Sequence, residues 1–293
     1  MKNIVIFMDC HGNQINKYLR MNSSFLKEYN INIISLNMYV VSGSKYINNT
    51  NLDEKDIEQI KEADVFILQV IETDRGYLNN ENVIKYCKSD CIIIKIPHYR
   101  NSIYQYKTLE QFENKCTLIN NWTLPKKVKN IDNIDETINI IKDEINIINT
   151  YNYDKDEIKK EFQQKLDEFM DIDKLSDIKM SDYFYNNYKL HKLFQSRSYP
   201  SSIFFHELTN RLLKGLNIPI NEKFVDLHFA ENTYELFPKY WYDYCGFIFD
   251  YKHYMYGHIE VKDYEWFYLI LMFNDVNLQD VNKINEFLKN IRK

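Results

Sequence analysis

Glycine is scarce in this chain, at 6 of 293 residues. None of the six falls into G-x-G-x-x-G or G-x-x-x-x-G-K-[ST], so a dinucleotide or P-loop site has no support. Cysteine is also sparse and odd in number: Cys10, Cys87, Cys91, Cys116 and Cys245. The apolar run Ile4-Val5-Ile6-Phe7 is too short for a signal-peptide core and runs straight into Asp9. Reduced thiols in a cytoplasm are the expectation. No apolar stretch reaches membrane-span length. Long basic runs are missing and the net charge is −5, which argues against a nucleic-acid partner. Metal-ligand patterns fail too. Cys87 and Cys91 have no second pair at finger spacing, His206-Glu207 meets Asn210 where a zinc protease has its second His, and His253 and His258 lack a third ligand. No metal is expected.

What is present is an ordinary globular balance, with 45% hydrophobic and 27% charged residues and many aromatics, 24 Tyr and 18 Phe. Continuous apolar runs at 3–8, 31–36, 64–71 and 91–96 read as strands covered on both faces. Between them lie predicted helices at 12–29, 53–63 and 80–88, the second capped by Asn51 or Asp53. This alternation predicts an α/β fold, a doubly wound parallel sheet with helices on both faces. From about residue 130 the apolar period becomes helical: Ile134 to Ile148, Ile158 to Phe169, Pro200 to Lys214, and Leu278 to Ile291. The expected division is an α/β core over 1–150 and a mainly helical portion over 151–293, packing on the core and completing the cleft.

In open parallel sheets, ligands sit beyond the carboxyl ends of strands. There the first strand gives way to Asp9-Cys10-His11-Gly12-Asn13. A thiol at a helix start has its thiolate favoured, and His11 adds a base or cation. Gly12 falls where a tight turn or a close ligand approach would need one. The other strand ends add Gln69, which interrupts an apolar strand, then Arg75, and then His98, Tyr99 and Arg100 after Pro97. Later, Ser196, Arg197 and Tyr199 precede a helix start, where hydroxyls and one Arg suit an anion. The rings at Tyr240-Trp241-Tyr242 fit a core or an oligomer contact better than a sugar platform, which leaves room for a homo-oligomer.

The order of these elements resembles the WcbI-type polysaccharide biosynthesis proteins: an apolar strand, an Asp-Cys-His turn, a strand ending in Pro97-His98-Tyr99, and a Leu193-Phe194…Pro200 segment opening a helix. Over roughly residues 3 to 217 the resemblance implies a flavodoxin-like core related to the SGNH hydrolases. It also implies a coenzyme-A-dependent acetyltransferase acting on a sugar, perhaps nucleotide-linked, of capsules or surface glycans. The family's Gly-Asn-Cys-Gln turn falls on Met8-Asp9-Cys10-His11, with Cys10 identical. Its Asn-His-Pro element falls on Ser198-Tyr199-Pro200, with Tyr199 in the place of the His. The implied roles are catalytic for Cys10, His11 and Asp9. Cys10 and the Gly12–Asn13 turn would hold the thioester carbonyl, and His11 would be the acceptor's base. Arg75, Arg100 or Arg197 would hold the phosphates of acetyl-CoA. Two rival expectations are an SGNH-like esterase or deacetylase, using a late pair such as Asp250 and His253, and a non-catalytic glycan-binding or structural protein.

Overall fold

The computed structural model describes residues 1–104, 154–196, 198–227 and 243–249, with two short strands beyond them. Arg197, Cys116, the rings at 240–242, His253, His258 and the predicted helices at 134–148 and 278–291 lie outside the described residues.

Four strands form the parallel sheet: β1 (Lys2–Met8), β2 (Tyr29–Ser35), β3 (Val65–Val70) and β4 (Ile92–Pro97). Their spatial order is β2-β1-β3-β4, the flavodoxin-like arrangement in which the chain reverses direction across the sheet at β1. The chain moves one way from β1 to β2, then back across β1 to β3 and on to β4. Right-handed crossovers therefore lay helices on opposite faces. On one face α1 (Cys10–Arg20) covers β1. On the other, Val5, Phe7, Phe66 and Leu68 pack with Ile60 of α4 (Glu54–Lys61) and Val83 of α5 (Asn80–Ile84). The segment predicted as one helix over 12–29 is two: α1, and after a break at Met21-Asn22, α2 (Ser23–Glu28), whose first turn the Asn22 side chain caps through Phe25 N–H. A four-residue helix, α3 (Asn37–Val40), follows β2.

Of the later elements, α6 (Lys155–Lys174) and α8 (Ser202–Gly215) are helical, as the 3.6-residue period predicts, and a short helix not predicted from the sequence, α7 (Ser181–Asn187), lies between them. Two short antiparallel pairs accompany them. β5 (Phe194–Ser196) pairs with β6 (Tyr199–Pro200), and β7 (Tyr254–Tyr256) with β8 (Ile259–Val261). The chain divides into two compact units, each built from two separate stretches of sequence. One unit is Met1–Asn101 with Lys165–Phe229, and the other is Ser102–Gln164 with Ala230–Lys293. In the first unit α8 packs on α1. There Tyr99, Phe169, Phe184, Phe194 and Phe204 form a buried aromatic cluster, with Phe169 and Phe184 stacked at 4.0 Å. No helix among the described residues is long and apolar enough to cross a membrane.

Candidate active site

Strand β1 ends at Met8, and Asp9 then caps α1, its Oδ1 accepting the N–H of His11 at 2.9 Å. A short polar side chain at this position satisfies a helix donor that has no carbonyl four residues back. The backbone N–H of Asp9 donates to Gln69 Oε1 at 3.2 Å. Gln69 thus reaches sideways from β3 to hold the turn. The second carboxylate oxygen of Asp9 meets Nδ1 of His98, just past β4, at 2.5 Å. Because β3 lies between β1 and β4, this contact bridges over an entire strand.

The Asp9 carboxyl feels two opposed effects. Burial raises its pKa, but the His98 hydrogen bond and then the charges of both imidazoles outweigh it and hold the group at about 2. An ionised carboxylate only accepts, so the proton between the two sits on His98 Nδ1. Nε2 is then the basic nitrogen of His98, on a ring that is only half-buried.

His11 is placed differently. Its ring is 2% exposed and stacks on His98 with centroids 4.1 Å apart and planes 20° from parallel. Phe205 packs edge-on at 5.3 Å. His11 Nε2 lies 2.9 Å from the Ser198 carbonyl, an acceptor, so Nε2 carries the hydrogen. Burial, then the neighbouring His98, lowers its pKa to about 4. His11 is therefore neutral at pH 7, enclosed, and committed to anchoring the Ser198 loop.

Cys10 opens α1 and is half-buried. Burial and the Asp9 charge raise its pKa, against a lowering hydrogen bond with Tyr199. Tyr199 is raised in turn, chiefly by that same bond. The resting thiol is protonated at neutral pH. The helix tip alone does not make a thiolate here, because desolvation and the adjacent carboxylate outweigh it.

Two of the expected ligand contacts, Gly12 and Tyr99, are engaged elsewhere. Gly12 does not approach a ligand: a Cβ there would stand 2.9 Å from Met8 Cβ and 3.1 Å from Ile6 Cγ2, so the glycine lets α1 press onto β1. Its N–H is already bound to the Asp9 carbonyl at 3.1 Å, which removes it as an oxyanion donor. Tyr99 is 1% exposed, and its hydroxyl donates to Asp173 Oδ1 at 2.7 Å, so it is a core anchor. Asn13 and Arg75 are exposed, Arg75 on the loop after β3. Arg100 pairs with Glu72 at 3.2 Å. Ser196 ends β5.

Asp9, His11 and His98 place ligand-type atoms within 4.8 Å of one another. As they stand, they do not converge on one ion. An imidazole lone pair lies in its ring plane, and two near-parallel rings stacked 4.1 Å apart have no common in-plane point. Both oxygens of Asp9 are also engaged.

Sequence reasoning missed the pairing of Asp9 with His98 and the anchoring of His11 by Ser198. The first joins residues 89 apart, and nothing in a linear pattern sets the strand order that unites them.

No family model and no curated protein matches the chain. Among solved structures, WcbI, described as a novel polysaccharide biosynthesis enzyme, is similar, with a TM-score of 0.61 at 14% identity over 99% of this chain and 94% of that one. The matched form of WcbI is a native protein without a disulfide bond between coenzyme A and one of its cysteines. At this identity the likeness establishes a shared fold, a parallel α/β sheet with helices.

Proposed function

We propose that this protein is a coenzyme-A-dependent acyltransferase, moving an acetyl group from its thioester to a hydroxyl or amine of a sugar in glycan biosynthesis. The observation that carries the reading is the Asp9–His98 pair beside the Cys10 thiol, in a fold shared with a protein whose cysteine and coenzyme A are named together.

His98, oriented through Nδ1 by Asp9, takes the acceptor's proton at Nε2 as the acceptor attacks the thioester carbonyl carbon. The Tyr199 hydroxyl donates to the carbonyl oxygen as negative charge develops there. The carbon–sulfur bond breaks, and the proton held by His98 passes to the departing sulfur. Cys10 lies against the sulfur and positions it as a neutral thiol. Arg100, with Arg75 on the neighbouring loop, holds phosphates, drawing the Arg100 guanidinium from Glu72. This mechanism moves the base from His11 to His98, because His11 is neutral, enclosed and already bonded.

The test is thermal unfolding with coenzyme A or acetyl-CoA at millimolar concentration. A ligand of the folded state raises the melting temperature, by about 2.7 kcal/mol of stability at a hundred times Kd. The expected result is stabilisation by both. Absence of any shift contradicts the reading and favours a non-catalytic glycan binder.

A further inference from the structure

The chain leaving α8 is fixed from its first residues. Asn217 takes the left-handed conformation, with φ 59°, and the N–H groups of Asn217 and Ile218 reach back to the carbonyls of Lys214 and Leu213 at 3.0 and 2.9 Å. This is a Schellman ending, and Pro219 then prevents a return to helix. From Pro219 to Val225 the chain has no regular secondary structure, yet it is pinned to the far end of α1. Asn22 Nδ2 donates to the Pro219 carbonyl at 2.7 Å and to Asn221 Oδ1 at 3.0 Å. Asn221 Nδ2 donates to the Tyr18 carbonyl at 3.0 Å, and the Tyr18 hydroxyl meets the Val225 carbonyl at 2.9 Å. These bonds hold the segment off the helices and leave an open cavity of about 350 Å³. Ligand pockets run from roughly 300 to 1,000 Å³, so this one suits a single small ring compound.

Met21, Ser23 and Ser24 line one wall and Ile220, Glu222 and Lys223 the other. The asparagines are committed to holding the walls. The hydroxyls of Ser23 and Ser24, the Glu222 carboxylate and the Lys223 ammonium make no side-chain hydrogen bond or ion pair among the described residues, and they remain for an occupant. Glu222 and Lys223 are the only charged residues of the lining and they cancel, so an anion is attracted by one and repelled by the other. A neutral polyhydroxy compound suits all four groups. Its hydroxyls donate to the carboxylate, accept from the ammonium and do both with serine. Its C–H faces cover Met21 and Ile220, which are 45% and 50% exposed. We propose that this cavity is a second saccharide site, distinct from the reacting centre. Cys10 opens α1 and Met21 follows its last residue, so about 16 Å of helix separates the two. A sugar held here is another unit of the glycan, not the one being acylated. The glycan context rests on the proposed function; the binding itself does not require acyl transfer.

The test is NMR of the full chain labelled at Met and Ile methyl groups, because Met21 and Ile220 report from the cavity wall. The probes are glucose, galactose, mannose and N-acetylglucosamine, with glucose 6-phosphate and free serine as anionic and zwitterionic counterparts, all at tens of millimolar. At least one neutral sugar should shift both methyl signals saturably. The double variant Glu222→Ala/Lys223→Ala removes exposed side chains that bond to nothing described, so its melting temperature should match wild type. It should need about tenfold more sugar for the same shift. No shift with any neutral sugar overturns the site, as does an equal response of the double variant. A response to glucose 6-phosphate or serine alone overturns its assignment to saccharides. The coenzyme A melting shift reports separately on acyl transfer: its absence beside sugar binding that weakens in the double variant removes that reading and keeps this site.

Discussion

At the residue scale, His11 couples folding to pH. Its ordinary pKa of 6.5 falls to about 4 in the folded chain, through burial first and the His98 charge second. Between those values the unfolded chain binds a proton that the folded chain refuses, so stability is lost as pH falls through that window. The size is on the order of 3 kcal/mol at full extent. Asp9 adds a second, lower window. Its carboxyl is depressed to about 2, so the stability it contributes is present above its ordinary 3.8 and is lost as pH falls toward 2. Urea midpoints measured from pH 7 to pH 4.5 should fall steadily, and His11→Gln should flatten that slope. A wild-type midpoint constant over this range would contradict the burial of a neutral His11.

At the element scale, the site depends on how closely α1 approaches β1. Gly12→Ala gains helix propensity of about 1 kcal/mol. It must also push a Cβ to 2.9 Å from Met8 Cβ, which is fixed to the strand backbone. Overpacking of this kind costs about 1–3 kcal/mol. The clash should win, with a lower melting temperature and a displaced Cys10. Tyr99 makes the complementary case. Its hydroxyl donates to Asp173 Oδ1, and the same carboxylate receives the N–H groups of Met180 and Ser181 at the start of α7. Tyr99→Phe should cost about 1–2 kcal/mol by denaturant unfolding. The coenzyme A melting shift should be unchanged, because Tyr99 faces the core; a weakened shift would return Tyr99 to the site.

At the scale of the whole molecule, the parallel sheet was legible because its strands are unbroken apolar runs, and the turn at Asp9 because polar residues interrupt the first of them. Asp53 as a cap and the start of α8 near Pro200 could be read for the same local reasons. Tyr99 was misplaced for a reason the sequence could have supplied: successive residues of an extended segment point to opposite sides, so His98 and Tyr99 could not both face the crevice. Gly12 could not be read, since the close approach that requires it exists only once α1 is laid on the sheet. Nor could the Asp9–His98 pair, which needs the order β1-β3-β4.

That pair is the centre of the account, and His98→Gln tests it most directly. Glutamine keeps an N–H for the Asp9 carboxylate but cannot take a proton. In an assay of acetyl transfer from acetyl-CoA to a hexose mixture, the variant should lose about 10²- to 10⁴-fold in kcat while its coenzyme A melting shift persists. Turnover by His98→Gln at the wild-type rate would contradict the assignment of His98 as the base.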